Sequence, residues 1–335
     1  MNRLVILAPN WLGDAVMALP AVADVRRAAP RAAIAVAART AIAPLFRLVP
    51  DVDETIVLER PAAIPDLRAW RALGVELADK GFDTALLLPN SLHAALIASH
   101  AGIAERWGYR TLFRGGLLTR AIQPASGLHQ VEYYQQLVHA LGMPNGPIEP
   151  KVSVPADARE AAARALERAG WDGRAPLVAL APGAAYGGAK RWPPASFAEL
   201  VDALGADGVS CVMVGSGADA ATGHEVARAT ARGRGILNLI GQTDLSTLAG
   251  VMTLCRALVT NDSGAMHLGA AAGVSVTAVF GPTDERATRP LGDAHAVVTH
   301  PVWCRPCMLR ECPIDHRCMR GVGVTTVLGA ARRTL

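Results

Sequence analysis

The sequence predicts an α/β fold of two Rossmann-like, doubly wound domains, and three observations support this prediction. Short apolar segments of strand length alternate with longer helical segments through the first half of the chain. The same alternation restarts after a proline-rich stretch. Apolar residues make up 51% of the chain but aromatic residues only 4%. The cores must therefore consist mainly of Ala, Val, Leu and Ile, which suits helices packed on parallel strands.

The elements of the first half follow one another in regular order. The segment Leu4–Ala8 is predicted to form a buried strand, and the loop Pro9–Asp14 leads into a helix from about Ala15 to Ala29. The other expected elements are strands at Ala33–Ala37, Thr55–Leu58 and Thr84–Leu88 and a helix at Trp70–Lys80.

The second half repeats the pattern. The stretch Pro144–Pro155 is predicted to link two domains, residues 1–155 and residues 156–335, because 335 residues exceed the usual size of a single core. The two domains are expected to face each other across a cleft lined by the carboxyl ends of their strands. The expected elements are helices at Asp157–Ala169 and Ser196–Leu204 and strands at Leu177–Ala181, Ser210–Val214, Leu237–Ile240, Ala257–Val259 and Val274–Phe280.

Charge and hydropathy exclude several classes of protein. The net charge of +4 is mild and no aromatic platform accompanies it, so binding of nucleic acid is not expected. No run of about 18 apolar residues lacks a charge or a proline, so no transmembrane segment is predicted. The start of the chain lacks the long apolar block and the cleavage site of a signal peptide. We therefore expect a cytoplasmic protein.

Four of the six cysteines fall in one short segment, at Cys304, Cys307, Cys312 and Cys318. The first pair has the spacing of a zinc knuckle, and His316 is a spare ligand. The intervals between the later cysteines are tight and no second knuckle follows, which favours a packed, cysteine-rich loop. We predict no metal site, with zinc as the open alternative, and no disulfides because the compartment is reducing.

The segment Val259–Asp284 carries the strongest functional signal. An apolar strand leads into the polar turn Asn261–Gly264, a helix of small residues and a second strand, which together form a βαβ unit. Asp262 or Ser263 is predicted to cap the helix, and the amides and positive dipole end of that helix suit a phosphate. An ordinary capped helix remains the alternative.

Glycine-bearing turns follow three other predicted strands, at Pro182–Lys190, Gly215–Asp219 and Gly281–Asp284. Such strand ends hold nucleotides in doubly wound sheets. The sequence lacks a GxGxxG motif after a strand and lacks GxxxxGK[ST], which argues against NAD enzymes and P-loop kinases. Lys190 is predicted to meet a diphosphate and to stabilise its growing charge in place of a metal ion. A solvated loop charge is the alternative.

Three further polar residues of the second half are candidates for ligand binding. Asp219 is predicted to accept a hydrogen bond from a ribose hydroxyl, or else to satisfy a helix N-terminus. His267 is expected to touch the phosphate or the sugar, or else to pack under the turn. Asp262 would repel a phosphate, so it is expected to orient a sugar hydroxyl or to cap the helix.

In the first half, Asp14 follows the small Gly13 in a strand-to-helix loop. Its carboxylate is predicted to accept a proton from an attacking hydroxyl, with a helix N-cap as the alternative. Asn90 and Ser91 end another predicted strand and are expected to line the same substrate.

Arginines also cluster in the first half, among apolar residues, which suits an anionic, partly apolar substrate at a membrane surface. Scattered surface charge is the alternative. The cluster comprises Arg106, Arg110, Arg114 and Arg120.

Four separated segments, NWLGDAVMALPA, LLLPNSLHAAL, APGAAYGGAKRWP and VTNDSGAMHLGAAAGVSVTAVFGPTD, occur in this order along nearly the whole chain. Together they resemble the ADP-heptose lipopolysaccharide heptosyltransferase family, most closely heptosyltransferase II. The resemblance implies a GT-B glycosyltransferase fold, an acceptor-binding first domain and a donor-binding second domain. It also implies that no divalent metal or other cofactor is required and that the protein works at the inner face of the inner membrane.

The resemblance further implies a reaction. L-glycero-D-manno-heptose would move from ADP-heptose to the heptosyl-Kdo-lipid A inner core of lipopolysaccharide, with inversion of the anomeric centre. Asp14 matches the general base of the family, and Lys190 matches its diphosphate contact. The implied donor-binding residues are Gly183, Tyr186, Lys190, Asp219, Asp262, Ser263, Gly264 and His267, and the acceptor-binding residues are Asn90, Ser91, Arg110 and Arg114.

Two other functions stay open at this point. One is that of heptosyltransferase I, or of another nucleotide-sugar transferase on the same fold, from which only acceptor-side residues would differ. The more remote one is a non-catalytic, two-lobed binding protein.

Overall fold

A computed structural model describes residues 1–59, 67–231 and 236–335. The chain divides into two compact units, Met1–Pro150 and Lys151–Leu335. The division falls inside the proline-rich stretch Pro144–Pro155. Within the described ranges, no helix combines the length and the apolar character that crossing a bilayer requires.

The first unit contains a six-stranded sheet in the order β3-β2-β1-β4-β5-β6, and every neighbouring pair of strands is parallel. Its strands are β1 (Arg3–Leu7), β2 (Ala33–Ala38), β3 (Glu54–Val57), β4 (Thr84–Leu87), β5 (Glu105–Tyr109) and β6 (Arg120–Ile122). Its helices are α1 (Leu12–Met17), α2 (Leu19–Ala28), α3 (Ala43–Phe46), α4 (Leu67–Ala78), α5 (Leu92–His100) and α6 (Gln130–Ala140).

The helix expected from Ala15 to Ala29 is in fact two helices. The first, α1, begins at Leu12, and the second, α2, begins after a break at Ala18. Pro20 lies in the first turn of α2, where a backbone N–H has no partner within the helix and its absence costs nothing. In a continued α1 the same residue would have left one carbonyl of the helix without its hydrogen bond. Asp14 therefore lies in the first turn of α1.

The second unit repeats the architecture with a six-stranded parallel sheet in the order β12-β11-β10-β7-β8-β9. Its strands are β7 (Leu177–Ala181), β8 (Ser210–Met213), β9 (Ile236–Asn238), β10 (Ala257–Asn261), β11 (Ser275–Phe280) and β12 (Ala296–Thr299). Its helices are α7 (Ala156–Arg168), α8 (Pro194–Ala206), α9 (Ala220–Ala229), α10 (Leu245–Leu254), α11 (Gly264–Ala271), α12 (Glu285–Thr288), α13 (Arg317–Arg320) and α14 (Val324–Arg332).

Trp192 is the largest fully buried side chain of the second core. Its ring packs edge to face against Phe197, with 4.9 Å between the ring centroids, and its indole N–H donates to the Val322 carbonyl at 3.0 Å. Truncation of a buried Trp typically costs about 3–5 kcal/mol of stability. This anchor holds the end of the turn that carries Lys190.

Candidate active site

Three polar side chains from separate strand-end turns of the second unit meet at one point. The Lys190 ammonium donates to Asp262 Oδ2 at 2.5 Å, and the Thr283 hydroxyl donates to the same oxygen at 2.7 Å. The side chains of Lys190 and Asp262 are only 11% and 6% exposed. A charge pair buried to this degree needs good hydrogen bonding to offset its desolvation, and Thr283 supplies part of it.

Asn261, in the protein interior, connects the turn after β7 with the turn after β10. Its side-chain oxygen accepts from the backbone N–H of Trp192 at 3.0 Å, and its amide donates to the Pro182 carbonyl at 2.8 Å. Asn261 is fully buried at the end of β10. Asn261 therefore ties the turn after β7 to the turn after β10.

Tyr186 shapes the outer side of this surface. Its ring lies 4.5 Å from the Lys190 ammonium and 5.1 Å from the Arg310 guanidinium, measured to the ring centroid. Its hydroxyl donates to the Met308 carbonyl at 2.8 Å. Cations over an aromatic face are held electrostatically, so Tyr186 keeps two positive groups close together.

The predicted phosphate-binding helix is α11, and Ser263 is its N-cap residue. In the described part of the chain no side chain caps its first turn: the Ser263 hydroxyl instead lies 3.2 Å from the Thr260 hydroxyl. The predicted side-chain cap is thus wrong for both Asp262 and Ser263, because both are engaged elsewhere. The amides that begin at Gly264 remain available to an anion.

His267 and Gly183 both lie inside this part of the second unit. His267 is 6% exposed in the first half of α11. A Cβ atom on Gly183 would lie 2.1 Å from Asp219 Oδ1, so a larger residue there would displace the Asp219 carboxylate. The Asp219 carboxylate itself accepts from the Ser216 N–H at 2.9 Å and the Ser216 hydroxyl at 2.8 Å. Asp219 thus satisfies the N-terminus of a helix, which was the alternative role, and its ribose contact stays a prediction.

In the first unit, Asp14 lies in the first turn of α1, where Trp11 is the N-cap residue. The alternative of Asp14 as an N-cap is therefore wrong. Asp14 also lies close to Tyr134 of α6. Burial raises the pKa of the Tyr134 phenol well above its usual value, and the charge of Asp14 raises it further. The carboxylate thus lies beside a phenol that stays protonated.

Arg114 was predicted to contact the acceptor, but its side chain is fully buried. Its guanidinium donates to the carbonyls of Tyr109 at 2.8 Å and of Pro89, and to the Asn90 side-chain oxygen at 3.4 Å. Burial lowers its pKa to about 10, which leaves it charged at neutral pH. The acceptor contact predicted for Arg114 is corrected to a structural role: it joins the loops that follow β4 and β5.

The other predicted acceptor residues have different surroundings. The Asn90 amide donates to the Tyr133 hydroxyl at 2.9 Å, and Ser91 caps α5 by accepting from the Ala94 N–H at 3.3 Å. Arg110 is exposed. Asn90, Ser91 and Arg110 all follow strands of the same sheet, so they lie at its carboxyl edge.

The cysteine segment packs against the turn that carries Lys190. The Ala189 N–H donates to the Arg310 carbonyl at 3.0 Å, and the Gly188 N–H donates to Glu311 Oε1 at 3.0 Å. The six cysteines are free thiols. Among residues 1–59, 67–231 and 236–335, no three or more His, Cys, Asp or Glu side chains are arranged to hold a metal ion.

Sequence reasoning missed two contributors to this site. Thr283 belongs to a turn that we singled out only for its glycine and proline, and Arg310 belongs to a segment that we judged only by its cysteines. The signal for Thr283 was its position in the turn that follows β11, the neighbour of β10 in the sheet. Arg310 is far along the chain from Tyr186 and gave no local signal.

The site thus combines a buried lysine, a second cation on the same aromatic ring and the N-terminus of α11. These groups have the chemistry that suits a phosphorylated ligand. A sequence model of glycosyltransferase family 9 (heptosyltransferase) matches residues 70–317. The chain belongs to this family. It is a glycosyltransferase, as the resemblance implied.

Individual relatives agree with the family. The chain is 31% identical over 307 residues to lipopolysaccharide heptosyltransferase 2 of Escherichia coli K12, covering 88% of this chain and 87% of the relative. It is 26% identical over 327 residues to lipopolysaccharide heptosyltransferase 1 of Pseudomonas aeruginosa, covering 92% and 87%.

A solved structure supports the fold. The structure of Escherichia coli ADP-heptose lipopolysaccharide heptosyltransferase II matches with a TM-score of 0.86 at 29% identity, covering 99% of this chain and 98% of that chain. The predicted fold class, with two doubly wound domains of the GT-B kind, is confirmed, and so is the resemblance to the heptosyltransferases.

Proposed function

We propose that this glycosyltransferase moves L-glycero-D-manno-heptose from ADP-heptose to the first heptose of the Kdo–lipid A inner core of lipopolysaccharide. The observation that carries the proposal is the buried Lys190 beside the N-terminus of α11, at the strand ends of the second unit. The similarity to lipopolysaccharide heptosyltransferase 2 over 88% of the chain supports the same donor and acceptor.

The second unit would hold the donor. The diphosphate would accept hydrogen bonds from the amides that begin at Gly264 and from the Lys190 ammonium. Ammonium and amide groups stabilise the charge that develops on a departing diphosphate. We therefore propose that the reaction needs no divalent metal and no other cofactor. Asp262 would orient Lys190 and would contact a sugar hydroxyl.

The first unit would supply the base. The acceptor hydroxyl attacks the anomeric carbon of the heptose from one face, and its proton passes to the Asp14 carboxylate. The bond between that carbon and the diphosphate oxygen breaks on the other face, and ADP leaves with the electron pair. A single displacement of this kind inverts the anomeric centre.

We also propose that the protein works in the cytoplasm and meets its acceptor at the inner face of the inner membrane. The acceptor carries lipid A, so the sugar to be modified stays close to a bilayer surface. Exposed arginine in the first unit, such as Arg110, supports an anionic acceptor.

The direct test is incubation of the protein with ADP-heptose and two purified acceptors, Kdo–lipid A with and without its first heptose, followed by mass spectrometry. We expect addition of one heptose to the acceptor that already has one. Addition only to the acceptor without heptose would establish the activity of heptosyltransferase I instead. Binding of ADP-heptose without any product would favour a non-catalytic binding protein.

A further inference from the structure

Two large apolar side chains project into solvent from the loop that follows β5. Leu112 is 65% exposed, and Phe113 is 103% exposed, more than in an extended reference chain. Isolated exposed apolar residues are common on protein surfaces, but a completely exposed phenylalanine next to an exposed leucine is a larger apolar feature than a single scattered residue.

The backbone of this loop holds the pair in an unusual conformation. Leu112 has φ 44° and Phe113 has φ 60°, in the left-handed region that side chains with a Cβ disfavour. Neither residue is a glycine or an asparagine, which are the residues that adopt this region readily. The surrounding structure therefore has to impose the conformation.

Arg114 is the anchor that imposes it. Its buried guanidinium donates to the carbonyls of Tyr109 and Pro89, and its own backbone N–H donates to the Thr111 carbonyl at 3.0 Å. The Thr111 hydroxyl in turn donates to the Asn90 carbonyl at 2.9 Å. The base of the loop is rigid, so its apolar tip is held away from the core.

The charge around the tip is positive. Residues 110–120 contain three arginines and no acidic residue. Of these, Arg110 comes shortly before the tip and is exposed, and its side chain runs along Gly115, where a Cβ would lie 3.2 Å from Arg110 Cγ. Arg120 lies farther back, opposite Trp107 of β5 and close to the charge of Glu105. An apolar tip with an exposed cation at its base matches the interface of a bilayer that contains anionic lipid.

The tip also lies at the edge of the sheet that carries Asp14. The strands β1, β4 and β5 are adjacent and parallel, so the loops that follow them share one edge. Two of these loops lead to other exposed apolar side chains, Trp11 at 51% and Leu92 at 38%. The edge that would bind the acceptor therefore carries exposed apolar side chains in the two neighbouring loops as well as at the tip.

We propose that Leu112 and Phe113 insert into the interfacial layer of an anionic phospholipid bilayer, with Arg110 pairing with lipid phosphates. This docking would place the carboxyl edge of the first sheet over the membrane that carries the acceptor. The inference deepens the proposed function, because it rests on an acceptor that is anchored by lipid.

The test uses co-sedimentation of the full-length protein with vesicles of phosphatidylethanolamine and phosphatidylglycerol. The variant is the double substitution Leu112→Asn and Phe113→Asn. Asparagine adopts positive φ readily, so the fold is retained while the apolar surface is lost. We expect partitioning to fall by roughly tenfold or more. The matched control is Ile148→Asn, at a 45% exposed apolar residue in another loop of the same unit, which should partition like the wild type.

Three outcomes would overturn the inference. They are unchanged partitioning of the double variant, an equal loss for Ile148→Asn, or a wild-type dimer that the double variant converts to monomer without a change in vesicle binding. A further readout separates the inference from the proposed function. The double variant should transfer heptose normally to a deacylated, water-soluble acceptor and poorly to an acceptor in vesicles. If the wild type transfers heptose to neither acceptor, the proposed function is wrong. The co-sedimentation result still decides independently whether the tip binds vesicles.

Discussion

The Lys190 ammonium and the Asp262 carboxylate form a 2.5 Å ion pair between the turns after β7 and β10, with both side chains almost entirely buried. Partners 72 residues apart in the chain are brought together by the order of the strands, because β10 and β7 are neighbours in the sheet. Removal of either partner leaves the other as an uncompensated buried charge. A substitution of one partner therefore reports on the pair as a loss of stability.

Lys190→Met should impair both stability and donor binding. Loss of the ammonium leaves Asp262 buried without its cation, and we expect a loss of about 3–5 kcal/mol in the free energy of unfolding. ADP affinity should fall as well. Urea unfolding and calorimetric titration with ADP measure the two effects. The control is Lys80→Met, whose exposed pair with Glu54 spans 2.7 Å and should contribute less than about 1 kcal/mol. Wild-type ADP affinity in Lys190→Met would place the diphosphate elsewhere.

Asp14→Asn should abolish most of the turnover and leave ADP binding intact. The amide keeps the size of the side chain but cannot accept the proton of the acceptor hydroxyl, and general bases typically contribute about 10²–10⁴-fold. Steady-state rates with ADP-heptose and a purified acceptor measure the loss. Asp79→Asn, at an exposed position of the same unit, serves as the control. Near-normal turnover of Asp14→Asn would exclude the carboxylate as the base.

Thr283→Val should weaken donor binding more than it weakens the fold. The Thr283 hydroxyl shares Asp262 Oδ2 with Lys190, so its removal loosens the carboxylate that orients the ammonium. Hydrogen bonds to charged groups contribute about 1.5–3 kcal/mol, so ADP affinity should fall by roughly tenfold. Thr283→Ser keeps the hydroxyl and should bind ADP like the wild type. Equal losses in both variants would indicate a packing role and refute the positioning role.

Arg114→Met should destabilise the first unit, whereas Arg110→Met should leave its stability unchanged. Removal of the buried guanidinium leaves the carbonyls of Tyr109 and Pro89 without a hydrogen-bond donor. Each buried carbonyl without a donor lowers the free energy of unfolding by about 1–3 kcal/mol. Thermal unfolding of the two variants, side by side, measures the difference. If Arg114→Met unfolds like the wild type but loses affinity for the acceptor, the original acceptor assignment of Arg114 was right.

The sequence was sufficient for elements whose signals are local. The strand predicted at Leu177–Ala181 has those bounds in the structure, because a short apolar run between turn residues is a strong signal. The helix from Ala15 to Ala29 was wrong in its start and its continuity, since a tryptophan N-cap carries no capping signature and the effect of Pro20 on the preceding turn was overlooked.

The site was predictable in part. Lys190 and the turn Asn261–Gly264 could be placed after predicted strands, because each follows a short apolar segment that leads into a turn with glycine. The pairing of Lys190 with Asp262 could not be predicted, because it depends on side chains from two distant turns. The burial of Arg114 could not be predicted from the sequence either. Its hydrogen-bond acceptors are mostly backbone carbonyls, which every residue has, so no pattern of residue types indicates them.

The ion pair of Lys190 has a consequence for selectivity. Asp262 screens the Lys190 ammonium, so Lys190 by itself offers an approaching anion little bare positive potential. A lone inorganic phosphate must compete with that carboxylate through one group only. Under the proposed function, ADP-heptose would bring two phosphates, an adenosine and hydroxyls from which the Asp262 carboxylate could accept hydrogen bonds. The contact that neutralises Lys190 would then favour binding of the sugar nucleotide over binding of free phosphate.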